Sequence, residues 1–485
     1  MPERYIVAFE IGSSKIRGAV AITDDAGMTD VVAVEEDKLI DLVRYGCVQN
    51  MGVATTIDNV IQRLESYPRL NNGTITGCYV SLGGKSLKSH TEEVSITLPA
   101  EMEITPQLVA DLKAKAQASV GDSRDVVDVV PVRFTVDNKE QINPIGTYGQ
   151  QLGATMTVIT CSPQIKRMLR RVFCEKLGLD INGYIVRPLA EGAMALTDDE
   201  RRLGCMFVDF GAETTTVAIY RKGALVYLAT IPLGSRNITK DLTTLNYIEE
   251  RAEEIKRLSG NAIPAEGVHR PGTDGIDYTE VNNYVHARAA EILQNILAQV
   301  GYAGLKLSDL PGGIIIAGGG AKLRGFTDLL AQHSKLKVRM GSVQGGVRIS
   351  DGAVHPADNL DVISLLVAAS RLPQEQCVEF PAEEAPESDP DISSYEDLND
   401  DEDASGSRIG HLDDDEDDDE DDDENDGRKG KNAGKDKDHK KGKKPIKGDD
   451  DDDDDNKKDH DAGGLLATLS RRLSGIWTPG DDTFK

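Results

Sequence analysis

The stretch that decides the fold is Met206-Phe-Val-Asp-Phe-Gly-Ala-Glu-Thr-Thr-Thr-Val-Ala-Ile-Tyr220. Its two apolar runs predict two buried strands, and the polar residues between them predict a sharp turn at Gly211–Thr214. Because Gly211 has no Cβ, the backbone at this turn can approach a ligand closely. The N–H groups and Thr hydroxyls that follow suit phosphate oxygens, and Asp209 is placed to hold water or Mg²⁺ beside them. Alone the pattern is weak, because many hairpins contain it.

The same pattern occurs near the N-terminus, in Ile6–Val20. The segment Phe9–Ser13 matches Val208–Ala212 in type: apolar, acid, apolar, glycine, small. A third element, Gly312–Gly325, has the pattern of a buried strand that ends in glycines and leads into a helix. Two phosphate hairpins and a glycine loop in this order resemble the ATPase fold shared by actin, DnaK and the sugar kinases.

Composition excludes several classes of function. The chain has 485 residues, enough for several domains, and a formal net charge of −28, which argues against nucleic-acid binding. Its six cysteines are scattered without a C-x-x-C pair and no signal peptide is evident, which predicts a reduced, cytosolic protein without a structural zinc site. No apolar run is long enough to span a bilayer.

Beyond about Pro373 the chain consists mainly of Asp, Glu, Lys, Gly and Ser. Such a segment cannot bury enough apolar surface to offset its chain entropy, so we expect it to be disordered. Apolar residues return only in Gly464–Trp477.

Six segments between residues 190 and 256 follow one another in an order that resembles the FtsA family, actin-like cell-division proteins that anchor FtsZ filaments to the membrane. They are Ala190–Ala195, Asp198–Glu200, Leu203–Gly204, the hairpin 206–220, Ile231–Thr239 and Ala252–Lys256. The resemblance covers about residues 5–370 and recurs in the terminal helix. The family carries an inserted domain, which Val130–Asp137 and Pro144–Gly146 resemble; DnaK-type chaperones and sugar kinases lack it here.

The resemblance implies an α/β, actin-like ATPase fold with two related halves, a small inserted α+β subdomain, a disordered acidic linker and a C-terminal amphipathic helix. The expected boundaries are 1–84 with 155–203 for subdomain 1A, 85–154 for inserted subdomain 1C, 204–245 with 311–372 for 2A, 246–310 for 2B, 373–462 for the linker and 463–478 for the helix.

The family binds ATP with Mg²⁺ between the two halves. The resemblance implies this role here for residues of both hairpins and for residues that would contact the adenosine. The candidates for phosphate are Gly12, Ser13, Ser14, Lys15, Gly211, Ala212, Glu213 and Thr214, those for adenosine are Glu253, Lys256, Gly318 and Gly319, and those for catalysis and for Mg²⁺ through water are Glu10 and Asp209.

Three residues depart from the family pattern and weaken the case for hydrolysis. Glu10 stands where the family usually has Asp, and Glu213 adds an acid to the second phosphate loop. Glu213 would repel phosphate unless Mg²⁺ or Lys15 screens it. Relatives with measurable ATPase activity often have Glu at the position of Arg187. We therefore expect ATP binding with slow or absent turnover.

The C-terminal helix has a regular apolar stripe. At 3.6 residues per turn the stripe consists of Leu465, Leu466, Leu469, Leu473, Ile476 and Trp477, with Arg472 beside it and Arg471 opposite. This pattern predicts a helix that lies on a membrane of anionic lipid. The alternative, docking on its own body or in a partner's groove, remains open. The linker, about 90 residues with a coil span of roughly 50–60 Å, favours the membrane. One such helix binds weakly, so we expect anchoring through a polymer.

The resemblance also implies partners and a location. The FtsZ C-terminal peptide docks in this family on the subdomain formed here by about residues 246–310, where Arg288 and Arg270 are candidates for pairing with it. Other division proteins, further copies of the chain and anionic lipid complete the expected partners, on the cytoplasmic side of the inner membrane at the division septum.

Three alternatives use the same fold. A sugar or acetate kinase is disfavoured because this chain has no evident sugar-pocket motif. A DnaK-like chaperone is disfavoured because the residues after 373 are too polar to form its substrate domain. An MreB-like filament does not account for the insertion.

Overall fold

The computed structural model describes residues 4–24, 28–70, 72–263, 274–352, 354–372 and 375–381. In that part of the chain the strands are β1 (Arg4–Ile11), β2 (Lys15–Thr23), β3 (Thr29–Lys38), β4 (Val43–Arg44), β5 (Cys47–Val48), β6 (Thr74–Ile75), β7 (Gly77–Leu82), β8 (Lys88–Glu103), β9 (Asp125–Val136), β10 (Lys139–Gln141), β11 (Tyr148–Cys161), β12 (Asp180–Val186), β13 (Cys205–Phe210), β14 (Thr215–Arg221), β15 (Ala224–Ile231), β16 (Ile314–Ala317), β17 (Val338–Met340), β18 (Val347–Ile349) and β19 (Val378–Glu379). The α-helices are α1 (Val53–Glu65), α2 (Pro106–Ala118), α3 (Pro163–Arg170), α4 (Arg187–Ala195), α5 (Asp198–Leu203), α6 (Ser235–Thr243), α7 (Glu249–Ser259), α8 (Tyr278–Tyr302), α9 (Phe326–Ser334) and α10 (Leu360–Ser370). None of these helices is long and apolar enough to cross a membrane.

Two sheets with the same internal arrangement form the framework of the described residues. In the first, β12, β7 and β1 run parallel, and β2 and β3 continue antiparallel from β1. In the second, β17, β16 and β13 run parallel, and β14 and β15 continue antiparallel from β13. The hairpins β1–β2 and β13–β14 therefore occupy equivalent positions, which confirms the prediction of two related halves.

Helices α4 and α10 join the two halves through one apolar core. Five consecutive residues of α10, 362–366, are buried, so this helix is covered on every side, and it packs against β1, β2 and α4. Helix α4 packs in turn against β14 of the second sheet. A helix in such a position is expected to be largely apolar, and in α10 the polar exceptions before its last residue are Asp361, which pairs with Arg17, and Ser364, whose hydroxyl donates to the Asp361 carbonyl.

On the other side of the second sheet, α8 packs by a single stripe. The side chains of Val281, Val285, Ala289, Ile292 and Ile296 recur at helical spacing and are buried in a core shared with β13, β14 and β16. Asp277 caps the helix by accepting the N–H groups of residues 279 and 280.

The inserted domain has its own core, built on β8, β9, β11 and α2. Thr105 caps α2 and Pro106 is its first residue, as the Thr-Pro pair predicts. Strand β11 pairs with β8 continuously from Tyr148 to Thr160, apart from one irregularity. The predicted boundary after Ala154 lies inside this strand, whose last residues, Ile159 and Cys161, pack in the core of the first half.

The packing of the first half can be tested by a substitution at Gly18 in β2. A Cβ there would lie 2.7 Å from Val60 Cγ1 and 2.8 Å from Phe9 Cε1, both in the core. We expect Gly18→Ala to lower the free energy of unfolding by about 1–3 kcal/mol through overpacking. The matched change Gly301→Ala in α8 meets no heavy atom within 4 Å, and alanine is the better helix former, so no loss is expected. Equal urea midpoints for the two variants would contradict this account.

Candidate nucleotide-binding site

The two hairpin turns close in the same way. The N–H of Gly12 donates to the carbonyl of Lys15 at 3.1 Å, and the N–H of Gly211 donates to the carbonyl of Thr214 at 2.9 Å. A Cβ on Gly12 would lie 2.8 Å from the Lys15 carbonyl oxygen, and one on Gly211 would lie 3.0 Å from that of Thr214. Both turns therefore need glycine at this position, which is the reason the sequence repeats it.

Arg187 connects the acids that precede the two turns. It is the first residue of α4, and its Nη1 donates to Glu10 Oε1 in a short hydrogen bond. Its Nη2 donates to Asp209 Oδ2 at 2.5 Å. Glu191, one helical turn further, lies 3.7 Å from Arg187 Nε. The structure thus brings Glu10 and Asp209 together, as predicted, but it places a guanidinium between them.

This centre is buried, and burial controls the protonation of its members. The side chains of Glu10, Glu191 and Asp209 are each no more than 4% exposed. Burial raises the pKa of Glu10 to about 7, although the charge of Arg187 opposes the shift. Burial also raises the pKa of Glu191 well above its usual value, with a further contribution from the charge of Asp209. Burial lowers the pKa of Arg187, but the charges of the neighbouring carboxylates raise it by more, so the guanidinium stays charged.

The predicted Mg²⁺ role of Glu10 and Asp209 does not extend to direct ligation in this geometry. Each carboxylate already binds the guanidinium of Arg187, and oxygen ligands engaged in that way are not offered to a hard cation. Within the described ranges no group of three or more His, Cys, Asp or Glu side chains could hold a metal ion. As direct ligands of Mg²⁺ these two acids are thus already engaged by Arg187, and their assignment to Mg²⁺ through water stays a prediction.

The loop before α1 crosses to the second hairpin. The N–H of Tyr45 donates to Glu213 Oε2 at 2.6 Å, and the N–H of Gly46 donates to Ser13 Oγ at 3.2 Å. Tyr45 and Gly46 both adopt positive φ angles, 49° and 74°. Sequence patterns did not identify either residue, because their roles depend on contacts with Glu213 and Ser13, which are distant in the chain.

Glu213 is screened by Arg236 rather than by Lys15. Arg236 Nη1 lies 3.5 Å from Glu213 Oε1. Lys15 instead pairs with Glu36, at 2.6 Å between Nζ and Oε2. Of the two groups named as able to screen Glu213, Lys15 is thus bound by a carboxylate on the neighbouring strand β3.

The glycine loop after β16 approaches the second hairpin closely. Gly318 has a φ of 90°, and a Cβ there would lie 2.4 Å from the Phe210 carbonyl oxygen and 2.9 Å from Asp209 Oδ1. Gly319, by contrast, is exposed, and its Cβ would meet nothing within 4 Å. The backbone at Gly319 thus has open space beside it, and its predicted contact with the base of a nucleotide stays a prediction.

The predicted adenosine residues on α7 form a network with α6. Lys256 Nζ donates to Glu253 Oε2 at 2.6 Å, to Thr239 Oγ1 at 2.8 Å and to the Ser235 carbonyl at 3.1 Å. The N–H of Ser235 donates to the carbonyl of Gly211 at 3.0 Å. The pair is thus linked to the second phosphate turn through the start of α6.

Of the residues predicted to bind FtsZ and lipid, Arg288 is the one that the structure describes. Arg288 is buried and makes a bidentate contact with Asp241, at 2.6 and 2.9 Å, and a further one with Glu291. It is therefore not available to an acidic peptide, which corrects its assignment. Arg270, the acidic linker and the helix that contains Leu465–Trp477 lie outside the described residues.

The chain resembles known proteins over most of the described part. Residues 206–360 match the family described as cell division protein FtsA, and residues 84–160 match the SHS2 domain inserted in FtsA. The cell division protein FtsA of Porphyromonas gingivalis is 31% identical over 355 residues, 70% of this chain and 74% of that protein. Its counterpart in Bacillus subtilis is 29% identical over 353 residues, 69% and 78% of the two chains.

Among solved structures, the PilM–PilN type IV pilus biogenesis complex superposes with a TM-score of 0.56. The sequences are 15% identical, and the match covers 76% of this chain and 99% of the other. At this identity the likeness concerns the fold alone. Together with the inserted SHS2 domain, it confirms the predicted fold class for the part of the chain that the structure describes.

The bond between Glu213 and Tyr45 can be tested by truncation. We expect Glu213→Ala to lower the free energy of unfolding by about 1–3 kcal/mol, because it leaves the Tyr45 N–H and Arg236 without this acceptor. Glu249 also binds Arg236, at 2.6 Å, but its side chain is 40% exposed, so Glu249→Ala is expected to cost less than about 1 kcal/mol. Glu213→Gln keeps an acceptor and should recover part of the loss. Urea unfolding measures all three, and equal losses at 213 and 249 would refute the role of the Tyr45 contact.

Proposed function

Because the chain belongs to the FtsA family of cell-division proteins, we propose that it is an ATP-binding adaptor that tethers FtsZ filaments to the cytoplasmic face of the inner membrane at the division septum. The observation that carries the proposal is the family match, which includes both the second hairpin and the inserted domain. Nothing in the similarities supports the alternative of a small-molecule kinase.

ATP is the proposed ligand of the cleft between the two hairpins. Its phosphates would lie against the turns Gly12–Lys15 and Gly211–Thr214, whose glycines let the backbone approach. Its base would lie at Gly318 and Gly319, with Glu253 and Lys256 on the adenosine side. Three features support this proposal: the equivalent closure of the two turns, the open space at Gly319 and the link from Lys256 to Gly211.

We expect hydrolysis of the bound ATP to be slow or absent. A general base must be free to accept a proton from the attacking water, whereas Glu10 and Asp209 are both held by Arg187. Release of phosphate from ATP by the full chain should stay below about one turnover per second, the lower end of ordinary enzyme rates. A steady-state rate above that value, abolished by Asp209→Asn, would disprove the expectation.

Membrane attachment is proposed for the amphipathic segment at residues 463–478. Its apolar stripe would enter the lipid boundary while Arg471 and Arg472 meet anionic headgroups. A single helix of this kind holds weakly, so attachment would depend on several copies in an actin-like polymer of the chain. The FtsZ C-terminal peptide is proposed to dock on residues 246–310, and other division proteins to join the assembly. Arg288 has no part in the proposed contact, because it is paired internally.

Sedimentation with phosphatidylglycerol-containing liposomes tests the attachment. The full chain should sediment with the vesicles and bring FtsZ down, whereas a chain without residues 463–485 should leave both proteins in the supernatant. A matched pair of variants sharpens the test, because Leu473 lies on the apolar stripe, whereas Ser474 lies outside it, about 120° from its middle at 100° per residue. Leu473→Gln should reduce sedimentation several-fold, and Ser474→Gln should not. Lipid binding by the truncated chain would remove the basis of the proposal.

A further inference from the structure

We infer that Arg187 takes the place of the divalent cation in this cleft, so that the chain binds a nucleoside triphosphate without Mg²⁺. The inference rests on the proposed binding of ATP and specifies the form of the nucleotide that the site accepts. It concerns a residue of this chain that the sequence marks only as a departure from the family pattern.

The first argument is geometric. Glu10 ends the first strand of one half and Asp209 the equivalent strand of the other, so these acids are the pair that would face the cation. The two Nη atoms of Arg187 bind one acid each. A planar guanidinium can satisfy two carboxylates at once, which a cation would otherwise do through its water shell.

The second argument concerns charge. Two buried carboxylates beside a triphosphate require a positive charge between them, since unpaired charges at low dielectric are strongly repulsive. Arg187 supplies that charge permanently. Asp361, the next acid of the centre, is paired separately with Arg17. Within this centre the two acids are therefore paired by a side chain of the protein rather than by a metal ion.

The third argument concerns the remaining donors. A guanidinium has five N–H groups, and Arg187 uses one on each Nη for the two acids. Its Nε is buried and has no hydrogen-bond acceptor among the described protein atoms. Glu191 Oε2 is likewise buried and has no donor among them. The side chain is 14% exposed. Because the buried Nε faces Glu191, the groups that we assign to phosphate oxygens are the second N–H groups on the two Nη atoms.

The position of Arg187 is fixed before any ligand binds. Pro188, which is buried, follows it at the start of α4, and α4 packs against α10 and β14. The guanidinium therefore does not need a metal ion or nucleotide to bring it between the halves. A divalent ion could reach the two acids only by displacing a side chain held on both sides.

The test compares ATP binding by the full chain in EDTA and in MgCl₂, measured by isothermal titration calorimetry. The dissociation constants are expected to agree within about twofold, because Mg²⁺ adds no contact with the two acids. A loss of tenfold or more in EDTA would overturn the inference, and so would the absence of ATP binding under both conditions. The liposome and FtsZ sedimentation is run on the same samples, so that failure of the adaptor function is detected separately.

Substitutions test whether Arg187 is the residue that makes ATP binding independent of Mg²⁺. Arg187→Gln should weaken ATP binding in EDTA at least tenfold and regain it with MgCl₂, because the two acids are then free to hold a hydrated cation. Arg339→Gln is the matched control, since Arg339 makes a similar double contact with Glu200 away from the hairpins; its ATP binding should stay insensitive to Mg²⁺. If Arg187→Gln does not fold, Arg187→Lys retains the charge but not the planar fork, and a smaller gain of Mg²⁺ dependence is expected. Insensitivity of every folded variant at 187 would refute the inference.

Discussion

The structure depends on one buried ionic contact, the guanidinium of Arg187 held by Glu10 from one half and by Asp209 from the other. Replacing Arg187 leaves the two acids without their cationic partner in a dry environment, at a cost of about 3–5 kcal/mol. Such a contact adds little stability compared with an apolar substitute. It does determine how the two hairpins face each other, because the planar fork of Arg187 accepts its two acids only in a narrow range of orientations.

The contacts around this centre also hold the two halves together through groups of the protein. The loop that contains Tyr45 and Gly46 binds Glu213 and Ser13, and the apolar helices α4 and α10 form a core common to both sheets. Charge on the second phosphate turn is balanced by Arg236. The cleft is therefore preorganised by protein groups. On the proposed function, the presence of a nucleotide, rather than its hydrolysis, would be the state that the polymer senses.

The inserted domain stands apart in its packing but not in its hydrogen bonding. Its core is separate, whereas β8 pairs with β15 through Lys88 and Ala229. The nine strands of this sheet, as far as the structure describes them, thus extend from the insertion into the second half. The hairpin β13–β14 and the strands of the insertion are therefore parts of one hydrogen-bonded sheet.

The sequence alone determined the features that depend on neighbouring residues. The two glycine turns, the cap at Thr105 and the stripe of α8 follow from local patterns, because hydrogen bonds within a turn and side chains on one helix face involve residues a few positions apart. The resemblance to a family then supplied the fold. Only the tertiary structure decided which charges meet. Arg187 pairs with Glu10 across 177 positions, Glu213 accepts the Tyr45 N–H across 168, and Arg288 is bound by Asp241 across 47. Charge type and spacing do not specify such pairs, since a long side chain selects its partner only when packing has brought the strands and helices together.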